Sequence, residues 1–408
     1  MAVRRITDKN KKIATILAYS VVPLSGLVTD IYLPSMPHMA IDLNVPESTI
    51  QLTLSFFLIS YGITQILAGS ILDALGRYRI TLLALLLFSL SSLAIAVSNN
   101  IHVILTMRAV QGVCAGFAVV GKRVFFVDVY EGQKQRSLLS SMTIIWAAAP
   151  IIAPFIGGYL ETYFTWRSNF YVLAIYGFIL IILEGLFSGE TIKKTHPLRL
   201  KSTLSVYFKM FKTADFALGI GMTGISYGMV MMYSMSGPFI IEHEMGYAPV
   251  ITGYISLLLG IAWMCGGFLS KSMLDYKTHH KSYSALSFQL LIAMVMIIAG
   301  WYGQSLLSLS ITAFMIHVAA GFIFNIFFTY CLSRFPEYAG ISNGITGGGT
   351  YFLTSFLSYG SIAIFQPIHE QLLGQGYLSF AAVGLIAFSL WLTSAKKSRI
   401  TSSNIGNK

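Results

Sequence analysis

Residues 13–34 read IATILAYSVVPLSGLVTDIYLP. The run is about twenty residues of nearly unbroken apolar character, and at ~1.5 Å per residue it crosses the ~30 Å hydrocarbon core of a bilayer. One acid, Asp30, sits near its far end with no basic residue beside it. An ionisable group at membrane depth costs roughly 2.5–3.5 kcal/mol on insertion scales, and such groups are usually functional. Asp30 either meets a base from another helix or takes up a proton. A plainer use stays open: it lies about one turn from Pro34 and can snorkel to the outer interface.

Composition extends this reading to the whole chain. Of 408 residues, 55% are hydrophobic and 11% charged, about half the charge fraction of a soluble protein. The expected class is a polytopic, all-α integral membrane protein. Cys114, Cys265 and Cys331 are odd in number and lie in or beside apolar segments, so they form neither a disulfide framework nor a metal site. The basic start (Arg4, Arg5, Lys9, Lys11, Lys12) resembles a signal-peptide n-region. The apolar run after it is too long, contains Pro23 and lacks a small-x-small cleavage site, so it reads as a retained first span.

Further apolar runs cover residues 50–72, 80–97, 101–121, 138–160 and 170–187. A polar, basic stretch follows at 188–212, and its second half, LKSTLSVYFKMFK, suits an interfacial segment on an anionic leaflet. Six more runs cover 216–240, 250–270, 283–301, 306–330, 340–365 and 376–393. The expected organisation is a six-helix bundle (1–187), a cytoplasmic linker (188–213) and a second six-helix bundle (214–408). With twelve spans, basic residues fall on one side. They are the five at the N-terminus, Arg77 and Arg79, Lys122 to Arg136, six in the linker, Lys271 to Lys281, Arg334, and four after span twelve. The opposite loops carry Arg167 alone, and Arg108 is inside a span. Both termini are therefore expected in the cytoplasm, and the net charge of +11 reads as a topology signal and not as a nucleic-acid surface.

After span two, GSILDALGRYRITL places Gly69, Asp73, Gly76 and Arg77 at the spacing G-x-x-x-D-x-x-G-R. The glycines permit a tight turn and close helix approach, and the two charges flank the turn. An ordinary cytoplasmic turn would read the same way. Span four, LTMRAVQGVCAGFAVVGKR, holds Arg108 about two turns inside an apolar run, followed by Gln111, Gly112 and Gly116. Gly112 and Gly116 form a small-xxx-small packing face. Counted from the outer end, Arg108 lies ~10 Å deep and Asp30 ~6 Å, so the two can be coupled; alternatively Arg108 braces helices through backbone carbonyls. In span five, WAAAPIIAPFIGGYL, Pro150, Pro154, Gly157 and Gly158 break regular hydrogen bonding and thin the helix surface. A kinked packing helix would need no more than that.

These pieces, in this order, resemble the major facilitator superfamily: its D-x-x-G-R loop, its R-x-x-Q-G motif in helix four and the antiporter motif P-x-x-x-P-x-x-G-G in helix five. The loop departs from the commonest pattern at Ala74, where a base is usual, and at Tyr78. With TDIYLPSMP ending helix one and SGPFI ending helix seven, the chain resembles the Bcr/CflA branch of 12-helix drug:proton antiporters. No second copy of the loop follows span eight (GGFLSKSMLDYK). The resemblance implies two six-helix bundles around an alternately opening cavity. It implies proton coupling at Asp30 tuned by Arg108, packing by Gln111, Gly112 and Gly116, an inner-gate latch at Gly69–Arg77, and an interface between halves shaped by Pro150–Gly158.

The expected function is proton-driven export of small organic molecules, drug-like compounds or an endogenous metabolite such as a siderophore, by a monomer in the bacterial inner membrane. Protons are the coupling ion, and no cofactor or metal is expected. A proton-coupled importer and a non-transporting membrane sensor are the alternatives. No catalytic constellation or phosphate loop supports an enzyme. Candidate cavity residues are Tyr19, Tyr61, Gln65 and Trp146 in the first half, and Tyr227, Tyr233, Trp263, His317 and Asn325 in the second. His317 titrates in a useful range, although a lone intramembrane His equally serves as a helix–helix hydrogen bonder. Span seven is rich in Met, which adapts to varied apolar ligands but also fills ordinary packing.

Overall fold

The structure is a computed structural model that describes residues 5–192 and 200–405. Arg4, Lys193, Lys194, Arg199 and Lys408, counted among the basic residues above, lie outside the described residues. The chain divides into two compact units, residues 1–199 with 246–257, and residues 200–245 with 258–408.

In the first unit, α1 (Asp8–Val21) and α2 (Leu24–Asp30) form the opening span. The break between them falls at Pro23, which has no N–H to donate to the preceding turn. A 3-10 turn (Leu33–Ser35) and a short helix α3 (Met36–Asp42) follow, each with a proline in its first turn. The stretch after Pro34, read from sequence as a short polar loop, is thus helical, with Met36, Pro37, Met39 and Ala40 buried. Five long helices complete the unit: α4 (Glu47–Leu75), α5 (Arg77–Val97), α6 (Ile101–Val129), α7 (Gly132–Tyr163) and α8 (Trp166–Phe187). Helix α6 packs on α4 and α5, α5 on α8, and α2 on α7. Leu83, Leu86, Leu87 and Leu90 of α5 are exposed, as a lipid-facing helix surface requires.

The second unit starts with α9 (Leu200–Lys212) and α10 (Ala214–Phe239), the latter ending in a π turn at Ile240–Glu244. Then come α11 (Pro249–Ser272), whose first turns group with the first unit, α12 (Thr278–Tyr302), α13 (Leu306–Arg334), α14 (Ala339–Phe365) and α15 (Glu370–Ile405). Helix α10 is central and packs on α13, α14 and α15. Among the described residues, 11 helical stretches are long and apolar enough to cross a membrane. The remaining expected span, residues 340–365, corresponds to α14, which is rich in glycine and hydroxyl residues. Its buried hydroxyls bond inside the bundle: Thr350 Oγ1 lies 2.7 Å from Thr223 Oγ1 and Thr354 Oγ1 donates to the Gly224 carbonyl. Hydroxyl bonds of this kind join helices where water is absent.

Candidate functional site

Asp30 ends α2 and is 4% exposed. Its Oδ2 makes no hydrogen bond among the described residues. Arg108, on α6, is fully buried. Its Nη1 donates to the Val28 carbonyl at 3.1 Å and to Gln111 Oε1 at 2.9 Å, and its Nε donates to the Thr53 carbonyl at 3.4 Å. The guanidinium lies 4.5 Å from the Tyr32 ring and 4.8 Å from the Phe57 ring. Gln111 in turn donates to Ser92 Oγ at 2.7 Å. One cation therefore ties α2, α4 and α6, and through Gln111 also α5.

Of the two uses the sequence leaves open for Arg108, the bracing contacts are present. It braces backbone carbonyls, yet its Nη2 has no hydrogen-bond partner among the described residues, and it is close enough to Asp30 for their charges to interact. The two form no direct ion pair among the described residues. This leaves a buried carboxyl next to a fixed positive charge, with an oxygen open to a proton or another donor. A buried ionised group costs free energy unless it is paired or hydrogen-bonded.

Gly112 backs on the Phe57 carbonyl and Ser60, and Gly116 on Thr64, both on α4. In α7 the motif residues face three neighbours. Pro150 lies against Gly26 of α2, Gly157 against the Ile31 carbonyl, and Gly158 against the Pro249 carbonyl at the start of α11. A side chain on Gly157 would meet Ile31 backbone, so the close approach depends on glycine there. Tyr159 and Tyr254, each about one turn past Pro154 and Val250 respectively, share a 2.6 Å hydrogen bond in the same contact zone.

The D-x-x-G-R loop is a compact charge cluster. Asp73 ends α4, Gly76 turns with φ +91° and Arg77 opens α5. Arg77 pairs with Asp73 at 2.7 Å and also with Asp128 of α6. Glu190 accepts from the Arg77 and Tyr78 backbone N–H groups at 3.2 and 3.1 Å, a carboxylate placed at the positive end of α5. Thr191 closes the ring by donating to Asp128 at 2.6 Å. The partners named here are in the first unit, so these contacts brace that bundle. Gly69 supports no close approach, because a Cβ there would meet nothing within 4 Å. It lies inside α4, facing open space.

The cavity candidates separate into groups. Tyr19 donates to the Leu138 carbonyl at 2.9 Å and stacks near Phe126, and Trp146 Nε1 donates to Ser25 Oγ at 3.3 Å. Tyr19 therefore anchors α1 on α7, and Trp146 anchors α2 on α7. Tyr61 and Gln65 are buried one turn apart on α4. In the second unit Tyr227 and Trp263 join Phe324 and Tyr351 in an aromatic group, with centroids 5.0–6.1 Å apart for the contacting pairs. Tyr233 is T-shaped to His317 at 5.6 Å. His317 Nδ1 hydrogen-bonds the Ala313 carbonyl one turn back at 2.8 Å. Asn325 is exposed and its amide packs on Gly267.

The pairings of four acids escape a sequence reading. Asp128 and Glu190 hold Arg77, Glu184 holds Lys122 at 2.5 Å, and Asp215 holds Arg334 at 2.8 Å. Asp215 also accepts from Tyr330 at 2.6 Å. All lie near helix ends, where a lone acid carries no signal.

The family model described as Major Facilitator Superfamily matches residues 19–359. The chain is 29% identical over 360 residues to an uncharacterised MFS-type transporter, YdgK, of Bacillus subtilis, covering 86% of this chain and 89% of that one. It is 26% identical over 389 residues to multidrug resistance protein D of Escherichia coli, covering 92% and 94%. A bicyclomycin resistance protein homolog of Haemophilus influenzae is 26% identical over 338 residues, covering 82% and 84%. Among solved structures, a bacterial homolog of the lysosomal transporter Spinster, inward-facing and unoccupied, superposes with a TM-score of 0.73 at 12% identity, covering 96% and 98%.

Proposed function

The chain belongs to the major facilitator superfamily, and from that premise we propose that it exports small organic molecules in exchange for protons entering the cell. It is a multi-pass membrane transporter and not an enzyme. The observation that carries the coupling reading is Asp30: a carboxyl 4% exposed, with one oxygen lacking any partner among the described residues, next to the buried cation of Arg108. Burial favours the neutral acid and the nearby cation favours the carboxylate. A change of solvation as the cavity opens and closes then moves the balance, so protonation and substrate binding compete.

The names of the relatives, multidrug resistance and bicyclomycin resistance, support drug-like substrates and the export direction. The antiporter motif of α7 supports the same direction. The basic loops support cytoplasmic termini in a bacterial inner membrane.

The test is proton release by purified protein in detergent on addition of tetraphenylphosphonium, chloramphenicol or a siderophore. Wild type is expected to release a proton with at least one of them, and Asp30→Asn to bind without release. Equal release from both proteins would remove Asp30 from the coupling role.

A further inference from the structure

Helix α3 carries one imidazole outward and one contact inward. The His38 side chain is 48% exposed, and its Nδ1 lies 2.7 Å from Oε1 of Glu161 on α7. Glu161 is 5% exposed at its side chain, and its second oxygen, Oε2, has no partner among the described residues. Nothing in the coupling reading above uses this pair.

Its position gives it a use. Glu161 stands one turn beyond Gly157, or ~6 Å along the helix, and Gly157 rests on the carbonyl of Ile31, the residue after Asp30. From α8, Asn169 approaches the same turn. Its Nδ2 donates to Ser35 Oγ at 2.7 Å, its Oδ1 lies 3.4 Å from where a Gly157 side chain would start, and that oxygen has no partner among the described residues. Three buried oxygens without a hydrogen-bond partner among the described residues, on Glu161, Asn169 and Asp30, thus belong to residues on or next to the turns where α7 meets the end of α2. Acceptors cannot satisfy one another, so a donor or a proton has to enter.

The other charged groups of the surrounding elements are few. Asp42, also on α3, is paired with Arg167 of α8 at 2.5 Å and accepts from Trp166 at 2.8 Å. Arg167 also donates to Asn99. Glu47 opens α4, and Tyr159 and Tyr163 flank Glu161 on α7. Asp42 and Arg167 balance each other.

We propose that His38 and Glu161 form the proton-entry site on the face opposite the basic loops, from which Asp30 is loaded. The imidazole takes a proton from outside water. An N–H bond then breaks as an O–H bond forms on Glu161, and the imidazole returns to its neutral form. Neutral Glu161 gives that proton to the Asp30 carboxylate and is ionised again. One proton moves inward and no other atom or electron is exchanged. The inference rests on the proton-coupled reading of Asp30.

The test uses proteoliposomes with a pH dye inside, driven by tetraphenylphosphonium or chloramphenicol, for wild type, His38→Gln and Glu161→Gln. Glutamine at 38 keeps an N–H for Glu161 but does not titrate. His38→Gln is expected to release a proton on binding in detergent, as wild type does. Its transport-coupled proton flux should fall about tenfold and lose its dependence on outside pH between about 5 and 8, where an imidazole changes charge. Glu161→Gln should slow the flux likewise. A wild-type rate and pH profile in His38→Gln would overturn the proposal while leaving Asp30 coupling intact. So would a rate lowered equally at every pH, which is the mark of bracing. Wild type without proton release in detergent would overturn the coupling reading and this one with it.

Discussion

A charge inside the bilayer is interpretable only with its partner, and Lys122 and Glu184 give the sharpest case. Lys122 Nζ lies 2.5 Å from Glu184 Oε2 and 3.4 Å from Ser188 Oγ, with side chains 6% and 1% exposed. Breaking a buried pair by removing one member leaves an uncompensated charge and costs about 3–5 kcal/mol, while replacing both with apolar residues is often neutral. Lys122→Met is therefore expected to lower the thermal midpoint in detergent, and adding Glu184→Leu to restore it; an unchanged midpoint in the single variant would show that the pair carries no stability. The same residues show what a sequence can convey. Asp30 and Arg108 were legible because each interrupts a long apolar run. Lys122 was not, because it adjoins Arg123 and reads as the start of a basic loop, although α6 runs on to Val129. His38 and Glu161 sit at helix ends where charge is ordinary, and 123 residues separate them. Only packing brings them together.

Among the elements, α7 joins most of the functional features and depends on what it lacks. It continues as a helix through Pro150 and Pro154 to Tyr163, and its small residues accept α2 on one side and the start of α11 on another. The span and its motif were readable from apolar length and from proline and glycine spacing. The partners of each glycine were not, since Gly69 and Gly157 look alike in sequence. The contrast can be tested. Gly157→Ala places a methyl group against Ile31 backbone, which has no side chain to move aside, and overpacking of this kind typically costs about 1–3 kcal/mol. Gly69→Ala meets open space within a helix and is expected to be neutral or to stabilise by about 0.5–1 kcal/mol. Midpoints measured side by side in detergent check both, and equal effects would refute the packing argument. Helix α3 was missed because two prolines and several polar residues made it read as a loop. Helix α14 was readable as one of the apolar runs, and the structure adds that its hydroxyls find partners in the second unit.

For the molecule as a whole, orientation decides the meaning of every proton step. The basic loops bound α4–α5, α6–α7, α11–α12 and the far ends of α13 and α15, whereas Arg167 stands opposite and is paired with Asp42. A bias of this kind predicts that the basic ends are cytoplasmic, and on that reading the net charge of +11 is a topology signal. Helix α12 provides a ruler for the test. Its 25 residues extend ~38 Å at 1.5 Å per residue, so the loops at its two ends lie on opposite sides of the bilayer. In a background with Cys265, the one exposed native cysteine among the described residues, changed to Ser, a membrane-impermeant maleimide added to intact cells is expected to label Gln304→Cys. Tyr276→Cys should label only after permeabilisation. The reverse pattern would turn the transporter over. His38 would then open to the cytoplasm, the proton path through Glu161 to Asp30 would load from inside, and a proton gradient directed inward would oppose loading of Asp30 instead of driving it.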